Sequence, residues 1–187
     1  MLHITDNISE QTISDIDVLH LEIVRKSVTD FLQNMAARYD KKGIRLLDIA
    51  PQIHAGAKAH FKQAKIETLD IEDSSGADYI ADLCACNEQT IPEGSFDIVV
   101  CTEVLEHTLQ PFDAVNEIER ILAPNGITLI TVPFNLRIHG PLPDCWRFTE
   151  HGLRSLFKNF KIEALTSIND QNRFLMPIHY QLIATKL

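Results

Sequence analysis

Apolar residues fall into two patterns along this chain: short runs without polar alternation, and longer stretches at helical spacing. The runs read as strands buried on both faces of a parallel sheet, and the spaced stretches as helices packed against it. From about Ser14 to Arg38, positions Ile16, Val18, Leu19, Leu21, Ile23, Val24, Val28, Phe31, Leu32 and Met35 predict one amphipathic helix, ended by Lys41, Lys42 and Gly43. Ile44 to Ala50 (IRLLDIA) predicts the first strand, and PQIHAGAKAHFKQA a loop followed by a helix. Lys65 to Ile71 and Tyr79 to Leu83 follow as second and third strands, and the turn-rich segment Asn87 to Ser95 leads to a fourth, Phe96 to Cys101. Pro111 to Leu122 predicts a helix with proline in its first turn and Phe112, Val115, Ile118, Ile121 and Leu122 on one side. Ala123, Pro124, Asn125 and Gly126 stop it, and ITLITV forms the fifth strand. Thr149 is the expected N-cap of a helix in EHGLRSLFKNF. Lys161 to Ser167 and about Ile178 to Thr185 supply two last strands joined by a polar turn.

Chemistry concentrates where the fourth strand ends. Thr102, Glu103, Glu106 and His107 arrive together there, and in open α/β sheets the carboxyl ends of the strands are where ligands sit. Two carboxylates and an imidazole at that edge are hard to explain by packing. A second concentration is Pro133 to Thr149 (PFNLRIHGPLPDCWRFT), too rich in proline for a helix or an inner strand, yet holding the only tryptophan, two arginines, a histidine and an aspartate. A loop of that length and composition is more often functional than ornamental.

Length and charge narrow the classes. The 187 residues suit one domain, 1–187, whose first 14 residues are polar and read as loose. Seventeen basic against 26 acidic residues leave a net charge of -9, which argues against a nucleic-acid partner bound through its phosphates. No apolar stretch approaches the ~20 residues needed to span a bilayer, and MLHITDNISEQ is too polar for a signal peptide, so a cytoplasmic location without membrane contact is expected. Cys84, Cys86, Cys101 and Cys145 fit a reduced compartment, and the lone Cys-x-Cys has no second pair at zinc-ligand spacing, so no metal site is expected. Nothing in the sequence sets the oligomeric state.

The motifs FDIVVCTEVLEHT (Phe96 to Thr108) and RILAPNGITLITVP (Arg120 to Pro133) resemble, in order, the fourth- and fifth-strand blocks of class I S-adenosylmethionine-dependent methyltransferases. The resemblance implies an α/β fold, a Rossmann-like doubly wound sheet of seven strands with the last antiparallel and helices on both faces. It also implies S-adenosyl-L-methionine as cofactor, bound by Asp48, Ala50, Pro51 and Gln52 after the first strand, Asp70 and Ile71 after the second, Asp82 and Leu83 after the third, and Thr102 and Glu103 after the fourth. Asp70 lies 22 residues beyond Asp48, near the ~20-residue spacing at which an acid meets ribose hydroxyls in dinucleotide folds. Asp82 has a second reading as a strand-end cap. The first loop departs from the family pattern, because Ala50 and Gln52 stand where glycines are usual and only Gly56 remains.

The His-Gly-x-x-x-Asp-x-Trp-Arg-Phe-Thr arrangement from His139 to Thr149 resembles a subgroup linked to sugar and polysaccharide biosynthesis. On that resemblance Asp144, Trp146 and Arg147 bind the acceptor, a small molecule such as a sugar or nucleotide-sugar, by stacking and hydrogen bonding. The other reading makes Trp146 a loop anchor and Arg147 the partner of Asp144. For transfer to a hydroxyl, His107 or His139 is the natural base, since imidazole titrates near neutrality. The expected function is methyl transfer to an oxygen or nitrogen of a small molecule. The alternative is a methyltransferase-fold protein that binds or regulates without catalysis, while a nicotinamide-dependent oxidoreductase lacks its G-x-G-x-x-G turn here.

Overall fold

The computed structural model describes residues 13–51, 55–170 and 173–187. Its frame is one seven-stranded sheet built from β1 (Arg45–Ile49), β2 (Lys65–Asp70), β3 (Tyr79–Ile80), β4 (Phe96–Thr102), β5 (Leu122–Pro133), β6 (Phe160–Asn169) and β7 (Pro177–Lys186), in the spatial order β3-β2-β1-β4-β5-β7-β6. β1 lies parallel to β2 and β4, and β4 parallel to β5. β7 runs antiparallel to both its neighbours, β5 and β6, so the last strand alone is reversed, as expected. The order reverses between β1 and β4, and the crevice at such a switch point is where open α/β sheets bind ligands.

The uninterrupted apolar runs of the central strands follow from the two faces of the sheet, each of which is covered. On one face Leu46, Ile98, Val100 and Leu129 pack under Phe31, Leu32, Met35 and Ala36 of helix α1 (Asp15–Tyr39). On the other, Leu47, Ile49, Val99, Cys101 and Ile130 pack against Val115, Ile118 and Ile121 of α2 (Pro111–Ile121) and Leu153 and Leu156 of α3 (Glu150–Leu156). Successive residues of one strand therefore enter different cores, which is why β1 and β4 show no polar alternation.

Helix starts obey their local chemistry. The side chain of Ser14 accepts from the Asp17 N–H at the head of α1, Pro111 opens α2, and Thr149 Oγ1 accepts from the Gly152 N–H as the expected N-cap of α3. Several expectations need correction: the third strand is only Tyr79–Ile80, β5 already includes Ala123 to Gly126, and Phe112 of α2 is exposed. Ile16, Val18 and Leu19 at the start of α1 are exposed rather than packed on the sheet, because the buried stripe of the helix begins only at His20. The helix expected after β1 is a single 3-10 turn, Gly56–Ala59, so α1 and Phe61 cover that part of the sheet instead. Among the described residues, no helix is long and apolar enough to cross a membrane.

Candidate active site

Three strand ends and two loops meet at the carboxyl edge. The β1 end is built around a buried acid: Asp48 is 2% exposed and its Oδ2 accepts from the Ala57 N–H at 2.7 Å. Burial pushes its carboxyl up to about 6, although that hydrogen bond opposes the shift. The turn that follows is shaped for glycine even where glycine is absent. Ala50 sits at φ 48, in the left-handed region, with its N–H donating to Leu69 O at 2.7 Å. Gly56 sits at φ +51, and a Cβ there would lie 2.3 Å from Asp48 Oδ2 and 2.9 Å from the Pro51 side chain. The backbone thus passes directly over the buried carboxylate, which only glycine permits. Pro51 flanks this approach, and Gln52 lies outside the described residues.

β2 ends in Asp70, a buried residue whose Oδ1 accepts from the Glu72 N–H at 2.9 Å, with Ile71 exposed beside it. Beyond β3 the outcome favours packing. Asp82 Oδ1 accepts from the Cys84 N–H at 2.8 Å, capping the turn, and Leu83 is buried in the core rather than presented at the edge.

The β4 end is denser. Thr102 closes the strand and Glu103 follows at φ 54, its Oε1 accepting from Thr131 Oγ1 at 2.9 Å and from His179 Nε2 at 2.6 Å. The other nitrogen of His179, Nδ1, meets Ser27 Oγ of α1 at 2.9 Å, so a Ser27–His179–Glu103 chain, buried at its first two members, joins α1, β7 and the β4 loop. Sequence reasoning missed Ser27 and His179. Nothing in a polar residue amid a helix, or a histidine amid a strand, marked a pairing across 152 positions.

Glu106 is wholly buried, and both its carboxylate oxygens lack a hydrogen-bond partner. Burial, then the charge of Glu103, hold its carboxyl well above the usual range. Two imidazoles face it. His107 Nε2 lies 3.7 Å and His139 Nε2 3.8 Å from Glu106 Oε1, and the two rings meet edge to face with centroids 5.0 Å apart. His107 is depressed in pKa, chiefly by burial.

The proline-rich loop supplies His139 and lies against this group. Its backbone is tied to Glu106, whose carbonyl accepts from the Cys145 and Trp146 N–H groups at 2.7 and 3.1 Å. Asp144 and Arg147, read from the subgroup resemblance as acceptor-binding residues, grip each other instead: Nη1 reaches Oδ1 at 2.5 Å and Nη2 reaches Oδ2 at 2.7 Å. Burial raises the Asp144 carboxyl, but Arg147 and the His139 N–H outweigh it and hold it below the usual range. Trp146 donates from Nε1 to Thr108 O at 2.7 Å and stacks on Phe148 at 6.2 Å between centroids, which makes it an anchor, although 41% of it stays exposed.

A mixed sheet of 3-2-1-4-5-7-6 order, parallel except for its last strand, with a close backbone turn after its first strand, is the fold of the class I methyltransferases. Residues 28–130, more than half the chain, match the family described as "Methyltransferase domain", and the chain belongs to that family. Over 87 residues it is 29% identical to a ubiquinone biosynthesis O-methyltransferase of Haemophilus ducreyi, covering 46% of this chain and 30% of that protein. Over 83 residues it is 34% identical to the protein of the same description from Xanthomonas oryzae pv. oryzae, covering 44% and 30%. The matched stretch therefore spans about three-tenths of these curated relatives. A S-adenosylmethionine-dependent methyltransferase from Methanosarcina mazei superposes with a TM-score of 0.62 at 16% identity, covering 82% of this chain and 97% of that one. The [4+2]-cyclase SpnF does so with 0.64 at 15%, covering 86% and 82%. At such identities these structures share the fold.

Family membership implies S-adenosyl-L-methionine as the cofactor, and the residues present fit it. The turn over Asp48 keeps its close backbone approach despite Ala50, and Asp70 stands buried at the end of β2 with an acceptor carboxylate.

Proposed function

We propose that this chain transfers the methyl group of S-adenosylmethionine to a hydroxyl of a small molecule. The observation that carries this reading is one adjacency: the glycine-like turn over Asp48 and the buried Glu106–His107–His139 group stand at the ends of neighbouring strands, β1 and β4. In this reading the β1 turn takes the amino-acid end of the cofactor through its backbone, Asp70 takes the ribose hydroxyls, Ile71 lies along the base, and Glu103 faces the methionine end. The cofactor, when bound, supplies a methyl group on a sulfonium that carries its own leaving group, so positioning does most of the catalytic work.

The proline-rich loop closes the acceptor side and excludes water. The acceptor hydroxyl meets the imidazoles there. Pro143 O can only accept, so His107 Nδ1 donates to it and leaves Nε2 as a lone pair able to take a proton. Support for a sugar skeleton is reduced to the open face of Trp146, because Asp144 and Arg147 are spent on each other. The ubiquinone O-methyltransferase relatives favour a hydroxyl on an aromatic ring as the first acceptor to try.

Calorimetric titration with S-adenosylmethionine and S-adenosylhomocysteine tests the cofactor half. Both should bind, and Asp70→Ala should weaken binding by ~1 to 3 kcal/mol, the cost of unmet hydrogen-bond partners. Absence of binding would leave a methyltransferase fold put to another use, and unchanged affinity in the variant would remove Asp70 from the site. Label transfer from methyl-labelled cofactor to a phenol or to a nucleotide-sugar then decides the acceptor.

A further inference from the structure

Glu106, His107 and His139 present a problem of hydrogen bonding that protein atoms do not solve. His107 Nδ1 lies 3.0 Å from Pro143 O. His139 Nδ1 lies 3.1 Å from Asp144 Oδ2 and 3.3 Å from Arg137 O. All three of these oxygens accept, so in each neutral ring the proton resides on Nδ1 and Nε2 is left as a lone pair. Both lone-pair nitrogens then face Glu106 Oε1, at 3.7 and 3.8 Å, too far for a hydrogen bond. Glu106 has no other partner for either oxygen and no access to solvent. The three residues thus aim potential ligand atoms at a common point, one from each lying within 4.8 Å of the others.

We infer that this point is a binding site for a divalent first-row transition-metal ion, held by Glu106, His107 Nε2 and His139 Nε2. Imidazole nitrogen and carboxylate oxygen ligands stand ~2.0 to 2.2 Å from such an ion, so two of them can be up to ~4.2 Å apart. The two carboxylate–imidazole separations already fall inside that span. Two nitrogens and one oxygen suit zinc, cobalt, nickel or manganese better than calcium or magnesium, which prefer all-oxygen sites.

The surroundings are those a metal site needs. A histidine ligand is normally oriented by a carbonyl or carboxylate on its other nitrogen. Pro143 O does this for His107. Arg137 O does it for His139, whose Nδ1 also lies 3.1 Å from Asp144 Oδ2; Asp144 accepts the His139 N–H at 3.0 Å, while Arg147 fixes Asp144 from the far side. The Asp144–Arg147 pair acquires a purpose here that acceptor binding did not give it.

Three protein ligands leave positions open for water or an acceptor oxygen, so the ion would lie in the acceptor pocket. Its occupancy changes the part played by the imidazoles, which hold the ion instead of taking a proton. The ion in turn makes a bound hydroxyl more acidic. Binding of the ion itself does not depend on the methyl-transfer reading.

The test uses tag-free full chain, stripped with chelator, and cobalt(II) chloride alone, without cofactor or acceptor. Calorimetry should show one equivalent bound, and visible absorption should develop the d–d bands of nitrogen- and oxygen-ligated cobalt. Glu106→Gln and His139→Ala should each weaken binding at least tenfold, whereas His151→Ala, at an exposed position on α3, should leave it unchanged. His139 lies on a loop and its side chain is 24% exposed, so its loss can be made without opening the core, and thermal melts confirm folding of each variant. Substoichiometric binding to the wild type would overturn the proposal. So would equal affinity in Glu106→Gln, His139→Ala and His151→Ala.

Discussion

The loops after β1 and β5 both leave the carboxyl edge of the sheet and are built on opposite principles. The first is built from backbone geometry: Ala50 and Gly56 both sit at positive φ, and the missing Cβ of Gly56 lets the chain pass over the buried Asp48. The second, from Phe134 to Thr149, acts through side chains, with Asp144, Arg147, His139 and Trp146 bonded to one another or to the Glu106–Thr108 segment. A loop built on backbone geometry tolerates a changed side chain if the dihedrals survive. A loop built on side-chain pairing fails when one partner of a buried pair is lost.

The second half of that contrast gives the largest expected effect. Arg147→Ala leaves the Asp144 carboxylate, whose side chain has no exposure, without its bidentate partner. Breaking such a pair from one side costs ~3 kcal/mol or more, and urea denaturation should show a loss near that size. The partial exposure of Arg147 places the value at the lower end. A loss below ~1 kcal/mol would mean that water replaces the guanidinium freely and that the loop is less rigid than its bonding implies.

In the first loop the sensitive quantity is protonation. Folded Asp48 keeps its proton to about pH 6 because it is buried, whereas an unfolded aspartate releases it near pH 3.9. Between those values the folded chain binds more protons, so the Asp48 contribution to stability falls as pH rises through the window and is level above it. The two-unit window corresponds to roughly 2 to 3 kcal/mol. Asp48→Asn keeps an acceptor for the Ala57 N–H but cannot titrate. The stability of the variant relative to wild type should therefore climb by about that amount from pH 4 to pH 6.5 in urea melts. A constant difference would mean that Asp48 ionises normally in the folded protein.

The same contrast governs what the sequence revealed. Uninterrupted apolar runs, Pro111 and Thr149 report on local structure, so strands β1 and β4 and the starts of α2 and α3 were legible from residues near one another. The cluster at the β4 end was legible only in part. Glu103, Glu106 and His107 are announced by the motif, but pairing His139 with Glu106, or His179 with Glu103, joins residues 33 and 76 positions apart, which no periodicity encodes. The single 3-10 turn after β1 was misread for a related reason. GAKAHFKQA has ordinary helical residues, and what stops the helix is tertiary, since α1 already occupies the face that such a helix would cover.

The smallest effect bears most directly on the first loop. Ala50 stands where the family usually has glycine and is held at φ 48 with its N–H bonded to Leu69 O. For a residue with a Cβ this conformation costs ~1 to 2 kcal/mol. Glycine would relieve that strain but give back ~0.5 to 1 kcal/mol through the greater freedom of its unfolded chain. Ala50→Gly should therefore be neutral or stabilising by up to ~1 kcal/mol, with affinity for S-adenosylmethionine unchanged or better. If it destabilises instead, Ala50 does not occupy the left-handed region in solution. The β1 turn would then have lost the backbone path on which cofactor binding depends, and the two loops would differ in whether they function as well as in how they are built.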